Sequence, residues 1–207
     1  MKNRYDPTNF FSLNQEHGEK MKRQLLLGTL GVLVLMVVTS VMTLTPPGDL
    51  IARDDEDARA QLQDGEGNPV GTVRLSQDGE DQVVVQAKVH DLPPGFHGFH
   101  VHSVGQCEPP FTSAGGHVNL EDASHPEHTG DMPVLLVNSD GTGEAGFKTD
   151  RFALKNLFDE DGSAIIVHAL PDNYANIPER YGAADQATLA TGDSGYRIAC
   201  GAIQKRG

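Results

Sequence analysis

Hydrophobic and polar residues alternate in short runs after residue 57, and this alternation is typical of half-buried β-strands. The first two runs, residues 60–63 and 70–75, flank a turn rich in Gly and Asp, so they predict a hairpin. Only residues 152–158 have a helical pattern. Further strand-like runs cover residues 82–92, 134–137, 143–147, 163–169 and 196–203. Short strands separated by Gly, Pro and Asp turns predict an all-β fold, an antiparallel β-sandwich or barrel.

The run at residues 95–102 places two histidines on one side of a predicted strand. His100 and His102 would point to one face of that strand, and Phe99 and Val101 to the other. The second face would pack into a core, while two imidazoles a few Å apart suit a transition metal. His97 has the opposite parity to His100 and is left out of this group. The alternative at this point is an ordinary strand with surface histidines.

A different pattern precedes the strands. Residues 25–44 contain no charged side chain and are rich in Leu, Val and Met. About 20 apolar residues are enough to cross a bilayer as a helix. Basic residues precede the run and acidic residues follow it, which predicts a cytoplasmic segment at 1–24 and an extracytoplasmic chain after residue 44. The apolar run is longer than the core of a typical signal peptide, so a membrane anchor is favoured over a cleaved signal and a secreted protein.

Residues 45–57 combine two prolines with a block of acidic side chains and predict an exposed linker. The linker leads to a domain at residues 58–207 that is long enough to bury its own core. Without the three acidic and five basic residues of 1–24, the remaining 26 acidic and 11 basic residues carry a net charge of −15. This charge excludes nucleic acid as a partner, because phosphate binding needs a basic surface.

Six histidines and one aspartate of this domain form a set of candidate metal ligands. Histidine and carboxylate together are typical donors to zinc, and imidazole also suits copper. Seven such side chains exceed the needs of one tetrahedral ion, so two ions are the simpler interpretation. The seven are His100, His102, His117, His125, His128, Asp131 and His168.

The chain has two cysteines, Cys107 and Cys200. In an extracytoplasmic domain, two lone cysteines predict one disulfide bond. Two separate buried thiols are the alternative.

These motifs resemble those of the copper/zinc superoxide dismutases, in their bacterial secreted form, over about residues 58–203. The resemblance rests on Gly-Phe-His-Val-His, Gly-x-Cys, Gly-Gly-His, His-x-Gly-Asp, Val-His and the segment Thr-Gly-Asp-Ser-Gly-Tyr-Arg-Ile-Ala-Cys-Gly at 191–201. It implies a Greek-key β-sandwich or barrel of about eight strands with two long functional loops. It also implies an enzyme that disproportionates superoxide to oxygen and hydrogen peroxide, with one copper and one zinc per subunit and a possible homodimer.

The resemblance further implies a role for each candidate residue. Copper would be held by His100, His102, His117 and His168. Zinc would be held by His117, His125, His128 and Asp131, and His117 would bridge the two metals during catalysis. Arg197 would dock the anionic substrate at the copper. Asp172 would connect His100 to His125, and outer contacts of this kind orient metal ligands.

Two departures from the family pattern modify these expectations. Only two residues separate His125 from His128, which predicts a zinc site that is strained, weak or empty. The loop after His168 contains Arg180 but no lysine. Because the domain is also strongly acidic, its overall field repels superoxide, and only a local positive patch could offset that repulsion.

Two other functions compete with a membrane-anchored superoxide dismutase. An extracytoplasmic copper-binding or copper-buffering module with the same fold would need neither Arg197 nor Asp172. A structural cell-surface sandwich would have no reason to keep seven ligands in order. The dismutase is therefore the favoured hypothesis.

Overall fold

The computed structural model describes residues 57–206, which contain nine β-strands. They are β1 (Ala58–Asp64), β2 (Pro69–Asp78), β3 (Gln82–Val89), β4 (Gly95–His97), β5 (Phe99–His102), β6 (Leu135–Val137), β7 (Gly143–Thr149), β8 (Ala164–His168) and β9 (Arg197–Lys205). Seven of them form one curled antiparallel sheet in the order β5-β8-β9-β1-β2-β3-β7, and β4 pairs with β6 in a separate ribbon. The prediction of an antiparallel all-β fold is confirmed, with nine strands in place of about eight.

The first three strands follow the predicted alternation. In β1, β2 and β3 nearly every second side chain is buried, and the intervening ones are partly or fully exposed. Ala58, Ala60 and Leu62 of β1, for example, are completely buried in the main core. Polar residues on the other side of these strands are left in contact with water, as one-sided burial of an antiparallel sheet requires.

β5 and β8 are instead buried on both faces. Ile165 and Val167 of β8 join the main core. The opposite face of β8 is covered by the long loop that follows β5, so its sequence is a continuous apolar run. The second cluster formed there contains Phe111, Ala114, Ala164, Ile166 and Cys200. The histidine-bearing face of β5 is therefore buried as well, which the sequence pattern did not predict.

The helical content differs from the prediction. Residues 152–158 form only a 3-10 turn at Leu154–Leu157, whose two buried leucines are three residues apart, the repeat of a 3-10 helix. A short helix, α1 (Gln186–Thr191), was not predicted. Asp185 caps its first turn by accepting from the Thr188 backbone N–H (2.9 Å), and Gly192 ends it at positive φ. Both residues are ordinary helix-boundary signals.

The N-terminal predictions fall largely outside the described residues. Segments 1–24 and 25–44 and most of the linker lie there, so the anchor remains a prediction. Among residues 57–206, no helix is both long enough and apolar enough to cross a membrane. Asp57, the last residue of the predicted linker, is already bonded to the sheet: its carboxylate accepts from the Gln77 backbone N–H (2.6 Å).

The predicted disulfide between Cys107 and Cys200 is present. The two residues are 93 positions apart, so the bond closes a long loop and ties the segment after β5 to β9. Closing a loop of this length removes conformational entropy from the unfolded chain.

We expect the substitution Cys107→Ser to lower the free energy of unfolding of the oxidised, metal-free protein by up to about 4 kcal/mol. Urea denaturation measures this change. A reductant should lower the free energy of unfolding of the parent to that of the variant and leave the value of the variant unchanged. A parent that is insensitive to the reductant would contradict the prediction.

Candidate metal centre

β5 carries His100 and His102 and lies at the end of the seven-stranded sheet. Its inner neighbour, β8, ends at His168. The three side chains are almost completely buried, with exposed fractions of 0%, 1% and 3%. Two rigid strands thus hold three of the candidate ligands.

The loop after β5 returns twice along the free edge of that strand. The Val118 N–H donates to the Val101 carbonyl (2.9 Å), and the Val101 N–H donates to the Gly130 carbonyl (2.9 Å). A Cβ atom at residue 130 would overlap the Val101 carbonyl, so this close approach requires glycine. These returns bring His117 opposite His102 and Asp131 opposite His100.

Four histidines form the first cluster, with ligand atoms that all lie within 4.8 Å of one another. One nitrogen of each ring is buried and has no hydrogen-bond partner among residues 57–206. Such groups are rare in folded proteins unless a cation or water satisfies them. Four imidazoles with unpartnered nitrogens are compatible with copper. The nitrogens are His100 Nδ1, His102 Nε2, His117 Nε2 and His168 Nε2.

The second nitrogen of three of these rings is held by an acceptor. His102 Nδ1 lies 3.0 Å from the Gly115 carbonyl, and His168 Nδ1 lies 3.0 Å from the Gly195 carbonyl. His100 Nε2 lies 2.7 Å from an oxygen of Asp172. A neutral imidazole that donates from one nitrogen presents a lone pair on the other, so these contacts orient the rings for a metal.

Burial also determines the protonation state of this cluster. It lowers the pKa of His100 to about 4 and that of His168 to about 3. It lowers the pKa of His102 well below its usual value. These three rings are therefore neutral near pH 7, which is the form that binds a metal.

The second cluster contains three histidines and a carboxylate: His117, His125, His128 and Asp131. Asp131 oxygens lie 2.6 Å from His117 Nδ1, 3.0 Å from His125 Nδ1 and 3.2 Å from His128 Nδ1. His117 Nδ1 and His128 Nδ1 are 3.3 Å apart. A tetrahedral ion with bonds of about 2.0 Å separates its ligand atoms by about 3.3 Å, so the cluster is compatible with zinc.

The short spacing between His125 and His128 does not keep these two side chains from Asp131. The sequence predicts a strained, weak or empty zinc site here, yet all four ligand atoms converge. His117 belongs to both clusters: its Nδ1 contacts Asp131, while its Nε2 has no partner among the described residues.

Asp172 connects the two clusters from outside. Its side chain is completely buried, and its oxygens lie 2.7 Å from His100 Nε2 and 2.8 Å from His125 Nε2. Burial alone would raise the pKa of this carboxyl, but the contacts with the two histidines lower it below its usual range. Asp172 is therefore a carboxylate that orients one ring of each cluster.

Gly192, at the end of α1, packs directly against this bridge. It has a φ of +58°, and a Cβ atom there would overlap Asp172 Oδ1 and His125 Nε2. Any side chain at residue 192 would thus displace the carboxylate from the ring, so glycine is required for space as well as for backbone conformation.

Opposing effects act on the pKa of His125. Burial lowers it, but the neighbouring carboxylates of Asp131 and Asp172 outweigh burial and raise it to about 9. In Asp131, burial raises the pKa of the carboxyl, while the contacts with His117 and His125 lower it to a greater extent. Without metal, the second cluster therefore holds a proton on His125 at neutral pH.

Arg197, the first residue of β9, pairs with His168 across the β8–β9 ladder. Its guanidinium donates to the carbonyls of Phe111 and Gly115 in the loop before His117. The Gly115 carbonyl is also the acceptor for His102. The structure thus brings Arg197 to the edge of the first cluster and half-buries it there.

Sequence reasoning missed two residues that support the second cluster. The Tyr174 ring is stacked on His125, with 6.5 Å between the ring centres, and its hydroxyl accepts from the Val134 N–H (2.8 Å). Arg151 contacts the turn at residues 125–128. Neither residue has a local sequence signal, because each lies more than 20 residues from the turn. His97, which was left out, belongs to neither cluster, and its ring nitrogens lie 2.8 Å from the backbone carbonyls of Pro93 and His168.

Comparison with known proteins relates this site to one family. Residues 70–203 match the family model described as copper/zinc superoxide dismutase. The superoxide dismutase [Cu-Zn] of Mycobacterium tuberculosis is 37% identical over 190 residues, 79% of each chain. The superoxide dismutase-like protein YojM of Bacillus subtilis is 33% identical over 69% of this chain and 74% of its own. A crystal structure of an SOD-like protein from Bacillus subtilis, 34% identical, has a TM-score of 0.59 over 70% of this chain and 96% of that one.

We expect Gly192→Ala to weaken metal binding by about 10-fold to 100-fold, because it separates Asp172 from His125. Metal retained after dialysis against graded chelator measures the loss. Gly182→Ala is the matched control, since residue 182 also has positive φ but lies in open space. Equal metal retention in the two variants would contradict the prediction.

We also expect the two clusters to differ in how their metal affinity depends on pH. A metal ion at the second cluster must displace the proton of His125, so affinity there should rise about tenfold per pH unit from pH 6 and level off near pH 9. Copper affinity should change much less, because His100 and His168 are already neutral. Competition titrations at several pH values test this contrast, and equal slopes for the two metals would refute it.

Proposed function

Because the chain belongs to the copper/zinc superoxide dismutase family, we propose that it is a superoxide dismutase. Two superoxide anions and two protons would give one dioxygen and one hydrogen peroxide. The observation that carries this proposal is the position of Arg197: a permanent cation lies beside four buried imidazoles with unpartnered nitrogens. Metal storage alone would not need that cation.

The two clusters divide the metals between them. Copper is assigned to His100, His102, His117 and His168, and zinc to His117, His125, His128 and Asp131, one of each per subunit. The donor types support this division: the first cluster offers nitrogen only, whereas the second adds a carboxylate. The copper, when bound, would supply the one-electron oxidation and reduction that the reaction requires.

Arg197 is assigned to substrate docking. A guanidinium has five N–H donors, and two of them are used on the Phe111 and Gly115 carbonyls. As far as residues 57–206 are concerned, three donors remain for an anion. The two carbonyl contacts fix the plane of the group, so little side-chain entropy is lost when the anion binds. Burial lowers the pKa of Arg197, but a guanidinium stays charged at any working pH.

His117 is assigned to proton transfer. Its Nδ1 is held by Asp131 at 2.6 Å, while its Nε2 is buried without a partner among residues 57–206. We place at Nε2 one of the protons consumed in forming hydrogen peroxide. The second cluster, to which His117 and Asp131 both belong, would keep the ring oriented while that nitrogen gains and loses the proton.

The remaining proposals concern location and assembly. The disulfide fits an oxidising, extracytoplasmic compartment. With the uncharged run at 25–44, this supports a domain held outside the membrane by an N-terminal anchor, or secreted after cleavage. A homodimer is the assembly we propose by analogy with the family.

The alternative is a copper-buffering protein of the same fold with little turnover. The similarity to YojM, which is named only as superoxide dismutase-like, is the observation that favours it. Such a protein would bind copper as tightly with or without Arg197. Activity and metal content, measured together, separate the two functions.

We expect Arg197→Ile to keep its metals and lose tenfold or more in the rate of dismutation, if docking contributes over about 1.4 kcal/mol. Because the chain after residue 24 has a net charge of −15, salt should raise the rate of the variant by screening repulsion. In the parent, salt should lower the rate slightly by screening Arg197.

The Arg197→Ile prediction is tested by metal analysis and a superoxide dismutation assay of the same samples. Lys155→Ile removes an equal charge from an exposed site and should match the parent. His102→Ala should lose both copper and activity. An Arg197→Ile variant with the parent's rate and salt dependence would remove Arg197 from the mechanism, and a parent that binds copper without turnover would favour the buffering protein.

A further inference from the structure

The turn at residues 125–128 has to satisfy two demands at once. The side chains of His125 and His128 converge on Asp131, although only two residues separate them. The backbone carbonyls of the same turn then need partners of their own, because unpaired backbone groups in a folded protein are costly. The loop itself supplies one of them, because the Asp131 N–H donates to His128 O (3.1 Å).

Arg151, from another part of the chain, gives the Pro126 carbonyl a partner and the His128 carbonyl a second one. Arg151 follows β7, and its backbone N–H donates to Thr149 Oγ1 (3.2 Å). Its Nη1 donates to Pro126 O (3.0 Å) and to His128 O (3.2 Å). One guanidinium nitrogen therefore joins two carbonyls of the turn, one on each side of Glu127.

The contact between Arg151 and Glu127 is of a different kind. Arg151 Nη2 lies 3.5 Å from Glu127 Oε2, and the Glu127 side chain is 71% exposed. Exposed ion pairs of this length contribute little to stability. The Arg151 side chain is only 35% exposed, and charge-assisted hydrogen bonds to carbonyls are stronger than neutral ones. The two carbonyl contacts, not the ion pair, are therefore the part that can hold the turn.

We propose that Arg151 is a positioning residue for the second cluster, the one to which zinc is assigned. By joining the Pro126 and His128 carbonyls, it keeps the turn in the one shape that directs both histidines toward Asp131. It does not contact the metal-binding atoms, and it acts only through the backbone of the turn. This inference rests on the proposed assignment of zinc to this cluster.

The geometry of the guanidinium explains why an arginine is used. Its donors lie in one rigid plane, whereas a lysine ammonium is a compact group on a flexible chain. A lysine at residue 151 could donate to the same carbonyls, but its flexible chain would hold them less firmly. Arg151→Lys should therefore restore part of the zinc affinity that an uncharged side chain loses.

The experiment compares four forms of the full-length chain, each stripped of metal with a chelator: the parent, Arg151→Met, Arg151→Lys and Glu127→Gln. Zinc affinity is measured by competition with a chromophoric chelator. We expect Arg151→Met to lose about 10-fold to 100-fold in zinc affinity, as is usual for contacts that orient ligands. Arg151→Lys should fall between Arg151→Met and the parent. Glu127→Gln, which loses only the exposed ion pair, should change by less than about fivefold.

Two further measurements separate positioning from general stability. Copper bound after reconstitution of the stripped protein should be the same in all four forms, because the Arg151 guanidinium contacts only the turn of the second cluster. The visible spectrum of cobalt(II) bound in place of zinc should change in Arg151→Met, since it reports the arrangement of the ligands. A lower unfolding temperature of metal-free Arg151→Met with unchanged zinc affinity and cobalt spectrum would overturn the inference.

The controls distinguish this inference from the proposed function. If the parent binds zinc and Arg151→Met binds it equally well, the positioning role is wrong and the zinc assignment stands. A parent that binds no zinc would overturn both. If Arg151→Met does not fold, Arg151→Lys decides: parent-like zinc affinity would overturn the inference, and a loss with copper content unchanged would support it.

Discussion

The carboxylate of Asp172 is the group on which the arrangement of the metal centre depends. It is completely buried, and a buried carboxylate is tolerated only where several donors surround it. Those donors come from three segments: His100 on β5, His125 in the loop after β5, and the Tyr174 N–H in its own loop (2.7 Å). Each segment must be in place before the carboxylate is satisfied. One side chain therefore couples the sheet to the loop after β5 and to the loop between β8 and β9.

Much of the fold follows from local patterns, and the exceptions have a common cause. β1, β2 and β3 could be predicted because only one of their faces is buried, which leaves an alternation in the sequence. β5 and β8 are covered on the second face by a loop, and no pattern within the strand reveals what a distant loop will cover. α1 is six residues long, too short for a periodic signal, although Asp185 and Gly192 mark its ends.

The candidate site, too, could be predicted from the sequence only where it depends on local patterns. The histidines of β5 could be grouped from their parity, and the others from their residue type. Which nitrogen faces which neighbour depends on contacts between segments, such as the Gly115 carbonyl at His102. Arg151, just after β7, reaches Pro126 over 25 residues, and Tyr174, between β8 and β9, reaches Val134 over 40 residues. No spacing rule connects residues that far apart, so such supports become visible only in three dimensions.

The Gly115 carbonyl also relates the proposed docking group, Arg197, to the geometry of the first cluster. It accepts from His102 Nδ1 and from Arg197 Nη2. A shift of this peptide would therefore turn the imidazole and move the guanidinium together. Arg197 and His102 thus contact the same peptide, that of Gly115. The disulfide ties the loop containing this peptide to β9, the strand that carries Arg197. In a domain whose overall charge repels superoxide, attraction has to come from a group at the metal itself. Arg197 and the candidate ligand His102 contact the same carbonyl, which keeps the two side chains together and would meet that requirement.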